Sequence, residues 1–147
     1  MRYIILTILV LAGCASPEYD LHPKSPDLEV YVQRFARHYD GVISNKLDVY
    51  MDVLHWCPIG VCAVAYCRIR YSGGVEYRSL VVDILQWPFL TDWQKEGVMF
   101  HELGHCVMNR DHTYAVSFMR PNMQPTQFYI DNRTEIYVEL FGKEPLE

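Results

Sequence analysis

The sequence carries little positive charge, no internal repeat and no low-complexity segment. Its 13 lysines and arginines stand against 18 aspartates and glutamates, which leaves a net charge of −5. Proteins that bind nucleic acid or anionic lipid through charge need a basic surface, so we expect no nucleic-acid partner and no electrostatic membrane binding. The apolar run at 3–11 is too short to cross a bilayer. With 147 residues, 50% of them hydrophobic, the chain suits one folded domain.

The N-terminus has the features of an export signal. Arg2 provides a short positive region before the apolar run, which ends in Leu11, Ala12, Gly13 and Cys14. This ending resembles the lipobox of bacterial lipoproteins, in which the cysteine receives a lipid and the signal is cut just before it. The alternative is an ordinary signal peptide in which Cys14 has no role.

The lipobox resemblance implies a division of the chain. A signal peptide would cover 1–13, the lipidated cysteine and a proline-containing tether would cover 14–26, and one domain would cover 27–147. The lipid would hold the protein at the bacterial cell envelope, on the periplasmic or the outer face. Ala15 follows the cysteine, and the absence of an aspartate there favours the outer membrane.

Apolar spacing predicts an α+β fold with a small mixed sheet. In chain order we expect a helix at 27–39, strands at 46–56, 61–71 and 75–85, and a closing helix at 126–141. Gly73 and Gly74 between two of the strands indicate a hairpin. Thr91 and Gln94 fit a capping box, which predicts the start of another helix that runs to about Met108.

His101, Glu102 and His105 form the pattern HExxH in that predicted helix. Residues four positions apart lie one turn apart on the same helix face, so both imidazoles can reach one Zn²⁺. Glu102 lies about 100° around the helix from His101, too far to be a ligand but close enough to hold the attacking water. Two histidines on an ordinary amphipathic helix are the alternative. Catalytic zinc also needs a third protein ligand.

The residues after this motif resemble the signature of the metzincin peptidases, HExxHxxGxxH followed by a methionine turn. Counted literally, Met108 stands at the glycine position and Asp111 at the position of the third ligand. A shift of one residue puts Asn109 at the glycine position and His112 at the ligand position. Asparagine tolerates the left-handed conformation that the family's glycine adopts. We therefore expect His112 to be the third ligand, with Asp111 as the alternative.

Met119 lies seven residues after His112 and resembles the methionine of the family's turn, which forms an apolar base beneath the metal. A methionine that merely fills the core is the alternative. The resemblance implies a zinc-dependent endopeptidase, in which Zn²⁺ held by the three histidines activates a water and Glu102 is the general base. Its partner would be a peptide or protein substrate. The competing interpretation is a zinc-binding envelope lipoprotein that binds or assembles without catalytic turnover.

The same resemblance implies where a substrate would lie. Metzincins bind substrate extended and antiparallel to an edge strand, for which 79–85 is the candidate here. Asp83 could then contribute to specificity, although we expect it to face solvent. Tyr129 and Tyr137 could reach the cleft from the last helix, although we expect both to pack in the core.

Four further cysteines, Cys57, Cys62, Cys67 and Cys106, would lie in an oxidising compartment, so we expect two disulfides. If 61–71 is one strand, Cys62 and Cys67 lie roughly 16 Å apart and cannot pair. Cys57 can fold back onto Cys62 through the proline and glycine between them. Cys67 lies on the apolar strand face that should meet the helix carrying Cys106. This predicts Cys57–Cys62 and Cys67–Cys106, with zinc binding by the first three cysteines as the alternative.

Overall fold

The computed structural model describes residues 25–43, 47–54 and 63–146. Its elements are α1 (Pro26–His38), β1 (Leu47–Asp52), β2 (Ala65–Ser72), β3 (Val75–Asp83), a 3₁₀ turn (Trp87–Phe89), α2 (Asp92–Met108), α3 (Thr126–Asp131) and α4 (Arg133–Phe141). Over the described ranges the fold is therefore α+β, as predicted. No helix in these ranges is both long enough and apolar enough to cross a bilayer. Cys14, Cys57 and Cys62 lie outside the described residues.

The three strands form a mixed sheet in the order β1-β3-β2. β2 and β3 are an antiparallel hairpin, and both turn glycines have positive φ, 57° at Gly73 and 76° at Gly74. This is the backbone that a two-residue hairpin turn requires, so the predicted hairpin is confirmed. β1 pairs with β3 in parallel, which needs the chain to cross over after β1.

The expectation that 79–85 forms the edge strand is wrong. β3 lies in the middle of the sheet, with both of its edges hydrogen-bonded to neighbours. Leu80, Val81 and Val82 are correspondingly buried. Within the described part of the chain, β2 has a second edge that pairs with no strand.

Asp83, at the end of β3, is buried and does not face solvent as expected. Its carboxylate accepts hydrogen bonds from the backbone N–H of Leu85 (2.9 Å) and from the side-chain amide of Gln86 (2.8 Å). A buried carboxylate is stable only with such partners. The residue therefore holds the turn that leads out of the sheet.

α1 and α2 pack together around a core of aromatic side chains. α1 begins at a proline, with Asp27 and Glu29 in its first turn, where the helix dipole favours negative charge. Its buried Phe35 meets Phe100 of α2 edge-on, with ring centroids 5.4 Å apart. The capping box of α2 is confirmed, since Gln94 N–H donates to Thr91 Oγ1 at 3.3 Å and Thr91 N–H donates to Gln94 Oε1 at 3.1 Å.

The closing helix predicted at 126–141 is interrupted at Asn132, so that α3 and α4 are separate. The Asn132 side chain donates to the Phe128 carbonyl at 2.8 Å, and its backbone N–H donates to the same oxygen at 3.1 Å. An asparagine side chain that bonds to nearby backbone competes with helix continuation. The apolar pattern continues across this break, so spacing alone could not reveal it.

A disulfide joins Cys67 of β2 to Cys106 of α2, with Cα atoms 5.5 Å apart. This pairing was predicted and is confirmed. It also removes Cys67 from any cluster of zinc-binding cysteines, because a bonded sulfur cannot act as a thiolate ligand. The bond fastens the sheet to the helix that carries the HExxH pattern.

Candidate metal centre

Three imidazoles converge at the exposed side of α2. His101 and His105 lie one turn apart, and their Nε2 atoms are 3.0 Å apart. His112, from the loop after the helix, brings its Nε2 to 3.2 Å from that of His101. Within the described ranges these three residues form a cluster that could hold a metal ion, and Asp111 is not part of it.

The loop returns to the helix because the chain reverses at Asn109. This residue has φ 52°, a left-handed conformation that asparagine tolerates better than most residues. The backbone N–H groups of Asn109 and Arg110 both donate to the Gly104 carbonyl, at 3.0 Å for Arg110. Further along, Thr113 N–H donates to the Met119 carbonyl at 2.9 Å. These bonds bring His112 back over the preceding turn of α2.

Backbone carbonyls set the direction of the two helical imidazoles. His101 Nδ1 lies 2.8 Å from the Phe118 oxygen, and His105 Nδ1 lies 2.6 Å from the Arg110 oxygen. A carbonyl only accepts, so each Nδ1 must carry the proton, and in the neutral ring each Nε2 presents a lone pair. Two lone pairs facing each other at 3.0 Å repel unless a cation lies between them.

The spacing and the donor type fit a zinc ion. Two nitrogens bound to tetrahedral zinc at about 2.05 Å lie about 3.3 Å apart, close to the 3.0 and 3.2 Å separations here. Burial also lowers the pKa of His101 to about 4 and lowers the pKa of His105. Both rings are therefore neutral near pH 7, which is the form that binds metal.

Glu102 lies beside this cluster and is buried. Burial raises the pKa of its carboxyl group to about 7, against a hydrogen bond from the Cys67 backbone that acts in the opposite direction. The residue lines two adjoining cavities, and His101 lines both of them as well. A carboxyl group with a pKa near neutrality can both accept and return a proton.

Met119 is fully buried against α2. A Cβ atom added at Gly104, between the two helical histidines, would lie 2.4 Å from the Met119 sulfur. Met119 therefore packs against the helix segment that carries His101 and His105, and its role as an apolar base beneath a metal stays a prediction. Gly104 is one of the variable positions of the HExxH pattern, yet a glycine inside a helix is itself a signal of close packing.

Two cavities open next to the histidines. An open cleft of about 600 Å³ lies between the cluster and β2, whose residues Ala65, Tyr66, Cys67 and Ile69 line it. A second cavity of about 160 Å³ lies beside His101 and Glu102. Tyr129 lines the second cavity and is buried against Gly97. Tyr137 is directed elsewhere, since its hydroxyl donates to Glu96 at 2.7 Å.

Comparison with family models, curated proteins and solved structures yields no match to this chain. The described residues therefore define an α+β protein with three histidines that could hold a metal ion. Its relation to the metzincin peptidases stays a prediction from the motif.

Proposed function

We propose that the protein is a zinc-dependent endopeptidase of metzincin type. The observation that carries the proposal is the position of Glu102, a buried carboxyl group beside three convergent imidazoles at the wall of an open cleft. Three imidazole nitrogens are one of the donor sets of catalytic zinc, which keeps one position open.

His101, His105 and His112 would hold the zinc, which would supply an acidified water and polarise the peptide carbonyl. Glu102 takes the proton from the attacking water and then delivers it to the leaving amine. Burial raises the pKa of this carboxyl group in the metal-free protein, and a bound dication would lower it towards the ionised form that accepts a proton. The disulfide between Cys67 and Cys106 ties β2 to α2, the helix that carries Glu102.

An extended substrate would lie along the edge of β2 that pairs with no strand among the described residues. That strand lines the cleft opposite the histidines, and an unpaired edge can accept another strand through its backbone groups. The cavity of about 160 Å³ beside His101 would take one substrate side chain. β2 thus replaces 79–85 as the candidate substrate-binding strand.

A metal that only stabilises the fold is a weaker explanation. Structural zinc is closed by four protein ligands, whereas the cluster in the described residues offers three and borders a cleft. A structural centre also has no use for a buried carboxyl group beside its first ligand, where burial opposes ionisation.

A peptide-library digest tests the proposal. We expect cleavage by the zinc-loaded protein, loss of cleavage with a chelator, and recovery when zinc is restored. Glu102→Gln should bind zinc and stay folded but lose nearly all cleavage, because the amide cannot take the proton. Glu135→Gln, an exposed site on α4, is the matched control and should cleave normally. Zinc binding without cleavage of any peptide would favour the binding module.

A further inference from the structure

The two carbonyls that orient the helical imidazoles belong to opposite ends of one loop. The Arg110 carbonyl faces His105 and the Phe118 carbonyl faces His101. If either end of the loop shifts, the corresponding ring loses its partner and turns away from the shared point. The centre therefore depends on whatever holds both ends of this loop.

Both ends are held by the carboxylate of Glu139 on α4. The Arg110 guanidinium donates to one carboxylate oxygen of Glu139 in an ion pair, and the Ser117 hydroxyl donates to the other oxygen. Arg110 also donates to the backbone oxygen of Glu139 at 3.4 Å. The Ser117 oxygen in turn accepts the N–H of Met119 at 2.9 Å. One carboxylate thus bridges Arg110 and Ser117. The carbonyl of Arg110 faces His105, and Ser117 directly precedes Phe118, whose carbonyl faces His101.

We propose that Glu139 is a positioning residue for the three-histidine centre, holding both loop segments that orient His101 and His105. Each carboxylate oxygen serves one segment, so both are needed at once. A glutamine has one oxygen and one NH₂ group and carries no charge to pair with Arg110, and with its NH₂ group towards Ser117 that hydroxyl would have to accept where it now donates. Glu139→Gln therefore keeps the shape of the side chain but loses the ion pair with Arg110 and one of the two acceptor oxygens.

The positioning role of Glu139 rests on the proposed zinc centre. Zinc affinity is therefore the property to measure, because an ion pair with a merely structural role would not affect it. Partners that orient a metal ligand indirectly contribute about 10–100-fold to metal affinity. Glu139 acts through the loop, so we place its effect at the lower end. Glu135→Gln is the control for the loss of a negative charge on α4, because it changes an exposed glutamate on the same helix.

The experiment measures zinc affinity of the full chain by competition with a chromophoric chelator, together with the folded fraction of each apo-protein. We expect about tenfold weaker binding for Glu139→Gln and less than a twofold change for Glu135→Gln. The cobalt-loaded Glu139→Gln protein should show shifted absorption bands. Ser117→Ala, which removes one connection only, should weaken zinc binding severalfold and serves as the second variant if Glu139→Gln does not fold.

Three outcomes would overturn the proposal. Wild-type protein that binds no zinc would remove the proposed centre and the positioning role together. If wild type, Glu139→Gln and Ser117→Ala bind zinc with equal affinity, the positioning role is refuted while the zinc centre remains. An affinity loss that vanishes after correction for the folded fraction would assign the Glu139 bonds to overall stability.

Discussion

The sulfur of Met119 lies so close to Gly104 that a Cβ atom on that glycine would come within 2.4 Å of it. Gly104 stands between His101 and His105, so this contact joins the loop to the segment of α2 that carries both histidines. We expect Gly104→Ala to destabilise the protein by about 1–3 kcal/mol, because Met119 is fully buried and has to shift.

A double-mutant cycle that combines Gly104→Ala with Met119→Ala tests whether this contact is the cause. Alanine is favoured over glycine in a helix by about 1 kcal/mol, so Gly104→Ala should become stabilising once Met119→Ala has removed the obstacle. Chemical denaturation of the four proteins in this cycle measures both effects. The same stabilisation by Gly104→Ala in both backgrounds would contradict the contact.

The ligand assignment predicts which variants lose zinc. His101→Ala, His105→Ala and His112→Ala should each lose most of the bound metal, since two remaining imidazoles hold zinc weakly. Asp111→Ala should retain it, because Asp111 is outside the cluster. Elemental analysis of dialysed protein gives the zinc content per chain. Zinc lost in Asp111→Ala but retained in His112→Ala would reverse the assignment of the third ligand.

The left-handed backbone conformation at Asn109 allows a prediction about substitutions at this position. Asn109→Gly should keep zinc and stability, because glycine adopts φ 52° without strain. Asn109→Val should cost about 1–2 kcal/mol and weaken zinc binding, since valine resists this conformation and His112 follows it closely. Asp111→Val introduces the same side chain two residues later and is the control. Thermal unfolding and zinc titration would report both properties, and equal behaviour of the two valine variants would refute this account.

The Cys67–Cys106 disulfide should contribute strongly to stability. It closes a loop with a sequence separation of 39, for which chain entropy predicts about 4 kcal/mol. We expect the Cys67→Ser, Cys106→Ser double variant to unfold at lower denaturant and to lose cleavage, because β2 is no longer tied to α2. Peptide mapping without reduction checks the pairing directly, and the Cys57–Cys62 prediction with it. A Cys62–Cys106 bridge would contradict the placement of β2.

The predicted lipid anchor can be tested at Cys14. Cys14→Ser should leave the signal unprocessed or release the protein from membranes, because serine cannot form the thioether that the lipobox resemblance implies. Membrane fractionation and the mass of the N-terminal peptide measure this. A mature wild-type chain that does not begin at Cys14 and carries no acyl chain would contradict the prediction.

The features that the sequence determined by itself are those set by neighbouring residues. The capping box at Thr91, the hairpin glycines and the reversal at Asn109 depend on local backbone preferences, which each residue carries with it. The HExxH histidines share a helix face through helical spacing alone. For these reasons the bounds of α2 and the approach of its two imidazoles could be predicted before any tertiary contact was known.

Tertiary structure alone decided the order of the strands and the support of the centre. The apolar run at 80–82 and the arginines Arg68 and Arg70 are local hints of a central β3 and an edge β2, but the parallel pairing of β1 with β3 depends on a crossover that no local pattern reveals. Asp83 has a polar side chain that suits solvent equally well, and only the turn beyond β3 buries it. Glu139 likewise carries no local signal, since its partners Arg110 and Ser117 lie more than 20 positions away. Contacts between distant segments depend on how the whole chain packs, and local preferences do not encode that packing.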